Sequence, residues 1–267
     1  MTQTGRASPR ARIILCRVAP VAVQEPVLRV VQINVGWEMP PRFPDVRGEL
    51  TDAFREITED SGSWFWDSNS PAGMVFASNE EKQLYLLATP DGLDIVSEAP
   101  DVGTVISAAD VVISDCMRIL NLKSLRHAAG GAAWTLAAED TKGAEAALES
   151  WLFMPQMRTR LGALGGRPSD IILTLRFDTE TGVTTTLKTE PLTDEQAAEG
   201  PYFLSEDLDA SEFPPAVLYV SVNRSQAGDF SAGDAATRGR RYLQQILKHG
   251  AELFANVDNR DDGSDEA

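Results

Sequence analysis

The chain has 267 residues, of which 43% are hydrophobic and 24% charged, enough apolar material for one large core or two small ones and too much for a wholly disordered chain. It carries 24 basic against 40 acidic residues, a net charge of −16, which repels nucleic-acid backbones and anionic membrane surfaces. Residues 1–25 hold four Arg and one Glu, and residues 257–267 hold five acids and one Arg. The body between them therefore stands at −15, so the acidity belongs to the folded part. No apolar run approaches the ~20 residues of a membrane span, and no membrane partner is expected. Cys16 and Cys116 lie far apart without metal or redox spacing, which suits a reducing compartment and a cytoplasmic location. With His127 and His249 as the two histidines, neither a metal site nor a cofactor is expected.

Residues 1–25 read as a disordered basic leader. Basic residues precede a short apolar stretch as in a signal peptide, but Arg17 interrupts it; the acid-free run up to Glu25 also matches a transit peptide or an over-extended start. VLRVVQINVGW, residues 27–37, is β-branched and stops at EMPPRFP, which predicts a buried strand. VRGELTDAFREITED follows with Val46, Leu50, Phe54 and Ile57 at helical spacing and Asp45 as the expected cap. SWFWD, GMVFAS, QLYLLAT and LDIVSEA then alternate with turn residues, as an antiparallel meander requires. In a strand Trp64 and Trp66 share a face. Core anchors or a partner-binding face are the two readings. From Ser107, SAADVVISDCMRILNLKSL opens on a Ser-x-x-Asp resembling a capping box and predicts a helix.

LRHAAGG reads as a short junction. After it GAAWTLAAED predicts a strand, GAEAALESWLFMPQMRTRLGAL a helix bent near Pro155, SDIILTLRFD with GVTTTLKTE a hairpin, PAVLYVSVNR a strand, and residues 231–255 a closing amphipathic helix. The acidic loop at 205–213 and the tail 257–267 read as solvated, the tail as disordered. Each half therefore runs strand, helix, antiparallel strands, helix. The expected fold is α+β: two pseudo-repeated strand-helix-meander-helix units, residues 26–128 and 129–256, forming one body.

In that order, VLRVVQINVGW, GAAWTLAAED, SDIILTLRFD, PPAVLYVSVNR and the final helix resemble a sporadically distributed bacterial family of uncharacterised proteins of about this length. The likeness implies a bacterial, cytoplasmic accessory to a larger system and brings no activity with it.

Chemical signatures are sparse. No phosphate-binding loop or nucleophile elbow is present, and GALGGRPSD sits between a helix and a strand, the reverse of a nucleotide fingerprint. Glu206, Asp207, Asp209 and Glu212 form an acidic loop without a shaping glycine, which reads as solvated and not as a calcium site. Arg158, Arg160 and Arg167 end the middle helix; Arg238, Arg240 and Arg241 begin the last one. Such arginines either balance nearby carboxylates or, where Arg158, Arg160, Arg238 and Arg241 converge, make an anion site. The expected function is a non-catalytic accessory or adaptor acting on another protein, with a small-molecule or nucleotide-binding protein, or an enzyme on such a ligand, with an Arg-lined pocket between the halves as the alternative.

Overall fold

The structure, a computed structural model, describes residues 25–59, 62–67, 70–79, 81–98, 102–152, 172–198 and 213–254. Among them, β1 (Val27–Gly36) is followed by α1 (Arg47–Thr58), β2 (Gly62–Asp67), β3 (Ser70–Asn79), β4 (Leu84–Thr89), β5 (Gly92–Ser97) and α2 (Val102–Leu120). Then come β6 (Leu125–Ala138), α3 (Thr141–Leu152), β7 (Leu173–Asp178), β8 (Val183–Thr193), α4 (Asp194–Ala198), β9 (Ala216–Phe230) and α5 (Ala232–Phe254). The fold is α+β. All nine strands join one antiparallel sheet in the order β2-β3-β4-β5-β1-β6-β9-β8-β7.

The two faces of this sheet differ because side chains alternate along each strand. Val31, Ile33 and Val35 of β1, Leu86 of β4, Leu93 and Ile95 of β5, Trp134 and Leu136 of β6, and Leu218 and Val220 of β9 face one way. They form a single core with Leu50 and Phe54 of α1, the apolar stripe of α2, Ala144 and Leu148 of α3, and Leu243 and Ile246 of α5. The opposite face has a smaller cluster in which Val30, Tyr85, Val96, Val217 and Tyr219 meet Ala197 of α4 and Phe213. Among the described residues that second face also carries polar side chains, Asn34 and Asp94 among them.

LRHAAGG, which reads as a junction, is the first half of β6, an interior strand of the sheet between β1 and β9. Ala128, Ala129, Gly130 and Gly131 are small because both faces of the strand are approached closely. A Cβ at Gly130 would lie 2.4 Å from the Gly239 carbonyl oxygen and 2.5 Å from the Leu243 nitrogen, so α5 packs with its backbone against β6. A Cβ at Gly131 would lie 2.7 Å from Gln32 Nε2 on the other face.

Three local expectations are corrected. Val46, with no side-chain cap bond, occupies the N-cap of α1 in place of Asp45; the preceding turn already brings the Asp45 and Val46 amides to the Arg42 carbonyl. The helix α2 begins at Val102, not Ser107, and the Ser107 hydroxyl donates to Gly103 inside it, so Ser-x-x-Asp is no cap. The last strand runs past Arg224 to Phe230. No described helix is long and apolar enough to cross a membrane. The expected leader, the tail, the bend at Pro155 and the acidic residues 206–212 lie outside the described residues.

Candidate functional site

Along β9 the residues facing the helices are Leu218, Val220, Val222 and then Arg224, which pairs across the sheet with Gly130 and Thr185. An arginine thus stands at a position whose periodicity calls for an apolar residue. Its guanidinium lies 5.7 Å from the ring centre of Tyr242 on α5, and its Nε is buried without a hydrogen-bond partner. Two further arginines reach the same place from α5. Arg241 lies 5.4 Å over the Tyr242 ring, and Arg238 4.9 Å over Phe230 at the end of β9. A guanidinium over an aromatic face gains cation–π attraction while its N–H groups stay free for an anion.

Gln226 organises the group. Its Oε1 accepts from Arg238 Nη1 at 2.6 Å and from the Tyr242 hydroxyl at 2.8 Å, and its Nε2 donates to the Thr181 carbonyl of the β7–β8 turn at 3.3 Å. Tyr242 is fully buried, so its ring is a fixed platform. Among the described residues none of Arg224, Arg238 and Arg241 pairs with a carboxylate. Their neighbours behave otherwise: Arg240 is bidentate to Asp110 at 2.6 and 2.9 Å, Arg118 holds Asp115, and Arg126 bridges to Asp229 and Glu38. In an acid-rich chain, two arginines on Tyr242 and a third on Phe230, without acidic partners among the described residues, form a local positive site.

Arg238 and Arg241, expected from sequence, are therefore in this site, and Arg224 joins them. Arg158, Arg160 and Arg167 lie outside the described residues. The backbone of Trp64 and Trp66 runs in β2, with Trp64 in register with Val75; their side chains lie outside the described residues.

A second polar group occupies the face without the long helices. Asn34 of β1 stands in register with Asp94 of β5, and its Nδ2 donates to Asp94 Oδ1. Burial pushes the Asp94 carboxyl above its ordinary value, opposed by the Asn34 hydrogen bond and by nearby His127; burial likewise pushes His127 down, opposed by Asp94. His249 is on the exposed side of α5, its Nδ1 2.9 Å from Glu252, and Cys116 is fully buried with its thiol pushed up by desolvation. No group of three or more metal-ligating side chains occurs among the described residues.

No family model matches the chain, and no curated protein matches it. Among solved structures it is similar to a Pseudomonas aeruginosa T6SS protein, with 13% identity over 84% of this chain and 73% of that one and a TM-score of 0.23. That score carries no argument about fold or role.

Proposed function

We propose that this protein is a non-catalytic accessory or adaptor that binds another protein, holding an acidic segment of it on Arg224, Arg238 and Arg241. The carrying observation is the buried Arg224 Nε beside two more arginines that, like it, pair with no carboxylate among the described residues of a chain of net charge −16. Arg presents forked donors that match carboxylates bidentately, and stacking on Tyr242 and Phe230 holds the forks in place.

We read the chain as two related halves, β1 to α2 and β6 to α5. Each opens on a long strand followed by a helix and closes on a helix, and the opening strands β1 and β6 pair at the centre of the sheet. The likeness of element order to a sporadically distributed bacterial family supports a cytoplasmic accessory role. The alternative, a small phosphorylated ligand on the same arginines, draws its support from the same buried donor.

Affinity capture of the tagged chain from its native host, beside the R224E/R238E/R241E variant, tests the reading. A stoichiometric protein retained by the native chain and lost from the variant is the expected result. Equal retention by both, or a bare native chain at physiological salt, refutes it. A thermal shift with phosphorylated metabolites, abolished in the variant, moves the site to the small-ligand reading.

A further inference from the structure

Among the described residues the sheet ends on one side at β7, where Thr174, Arg176, Phe177 and Asp178 are exposed and Leu173 and Leu175 are half-buried. The Thr179 amide donates to the Val183 carbonyl at 2.9 Å, continuing the Asp178–Thr184 register, so hydrogen-bonded and non-hydrogen-bonded pairs alternate backwards from there. Leu173, Leu175 and Phe177 hence direct their backbone groups to β8. Those of Thr174, Arg176 and Asp178 point outward, to where a tenth strand would lie.

Protein edges are usually blunted by proline, lysine or a bulge. The strand β7 has no proline and no lysine, and its register with β8 is unbroken. At the opposite edge, β2 meets β3 through an irregularity between Phe65 and Asp67. Two of the most exposed large apolar residues, Ile172 at 58% and Phe177 at 54%, lie on or beside β7. Residues 172–178 contain one Arg and one Asp, so this edge is electrically neutral in a chain of −16 and does not repel its own copy.

We propose that the outer edge of β7 pairs antiparallel with β7 of a second copy of this chain, centred on Phe177, with Arg176 of each copy opposite Asp178 of the other. In that register Arg176 and Asp178 supply the outward N–H and C=O groups for the new ladder. The two Phe177 rings meet at a non-hydrogen-bonded pair, where side chains across a ladder approach most closely. Arg176 and Asp178, now joined within one strand at 3.1 Å and both well exposed, exchange that contact for a crossed pair of ion pairs. A register centred on Leu175 pairs more residues, but it sets the two Arg176 side chains on a diagonal and leaves Asp178 opposite Ile172. Charge complementarity selects the first. The axis is a two-fold perpendicular to the sheet, so both helix layers lie on one side of a continuous sheet. A strand this short buries less than the ~1,200 Å² of a permanent interface, so the dimer is weak and concentration-dependent.

Sedimentation equilibrium or light scattering of the full chain, from about 5 to about 500 µM, tests this. The expected result is a mass rising from 29.0 kDa toward twice that value. Arg176→Pro removes one outward donor without touching the β8 ladder and raises the dimer Kd at least about tenfold, as does Phe177→Ser. D178R sets like charges opposite each other and weakens the dimer, while the R176D/D178R exchange restores it. A monomer throughout the concentration range overturns the proposal. So does a dimer that R176P, F177S and D178R leave unchanged, or one that the charge exchange fails to restore.

Discussion

Replacing Gly130 by alanine adds one methyl group where β6 and α5 touch backbone to backbone. The new Cβ would stand 2.4 Å from the Gly239 carbonyl oxygen and 2.5 Å from the Leu243 nitrogen, and neither atom belongs to a side chain that can swing away. Side-chain carbons essentially never approach within 3.0 Å, so the helix must retreat by at least about 0.6 Å. A gap of that size forfeits about a quarter of the dispersion energy of the facing atoms, here those of Ile33, Leu243 and Ile246. Overpacking with backbone displacement costs about 1–3 kcal/mol, and we place G130A at the upper end. Gly48 is the internal control: it lies in α1 with nothing within 4 Å of its added Cβ, so G48A is expected to gain about 0.5–1 kcal/mol from helix propensity alone. Urea unfolding followed by tryptophan fluorescence and far-UV circular dichroism reads both. The reasoning fails if the G130A midpoint equals that of the native chain, or if G48A loses as much as G130A.

Trp37→Phe deletes the 2.9 Å bond from the indole Nε1 to the Pro90 carbonyl in a buried setting, and a loss of about 1–3 kcal/mol is expected in the same urea assay. Burial depresses the proton affinity of His127 in the folded chain below 6.5, so the unfolded chain takes up that proton first; the stability due to neutral His127 is complete above pH 6.5 and is lost as the pH falls toward the depressed folded value. His127→Gln is expected to flatten that part of a stability–pH profile, and an unchanged slope would contradict it. Asp94 has the opposite sign: its raised value favours the protonated folded state, so Asp94→Asn is expected to gain stability relative to the native chain as pH rises above 3.8, measured by thermal unfolding. Cys116 is fully buried on α2 and its thiol is held far from ionisation, so a thiol reagent is expected to label it only at the rate of unfolding; fast labelling of the folded chain would show that α2 opens locally.

The strands β1 and β3 to β5 were legible because β-branched and aromatic residues alternate there and turn residues separate them. The first half of β6 was hidden for a physical reason. A strand that a helix approaches to backbone contact on one face, and amide side chains on the other, must be built of Ala and Gly, and such a run carries no strand propensity of its own. The start of α2 was misplaced because Ser107 and Asp110 mimic a cap, while the serine bonds back into the helix. At the candidate site Arg238 and Arg241 stood out as a basic cluster. Arg224 did leave a trace, since it continues the apolar alternation of Leu218, Val220 and Val222, but its meeting with Tyr242 depends on how α5 lies across β9. The pairing of Asn34 with Asp94 likewise follows from register between strands about sixty residues apart, which no local pattern encodes.

The interior position of β6, between β1 and β9, has a bearing on how the chain is made. Its flanking partners are β1, already synthesised, and β9, which begins at Ala216, long after β6 ends at Ala138. At about 5–20 residues per second a ribosome leaves that flank bare for roughly 4–16 s, during which the nascent sheet ends in a glycine-bearing strand open to any extended neighbour. Slowed elongation between codons 139 and 215 prolongs this exposure, so yield of properly folded material depends on translation speed through a stretch that contributes little to the central ladder itself.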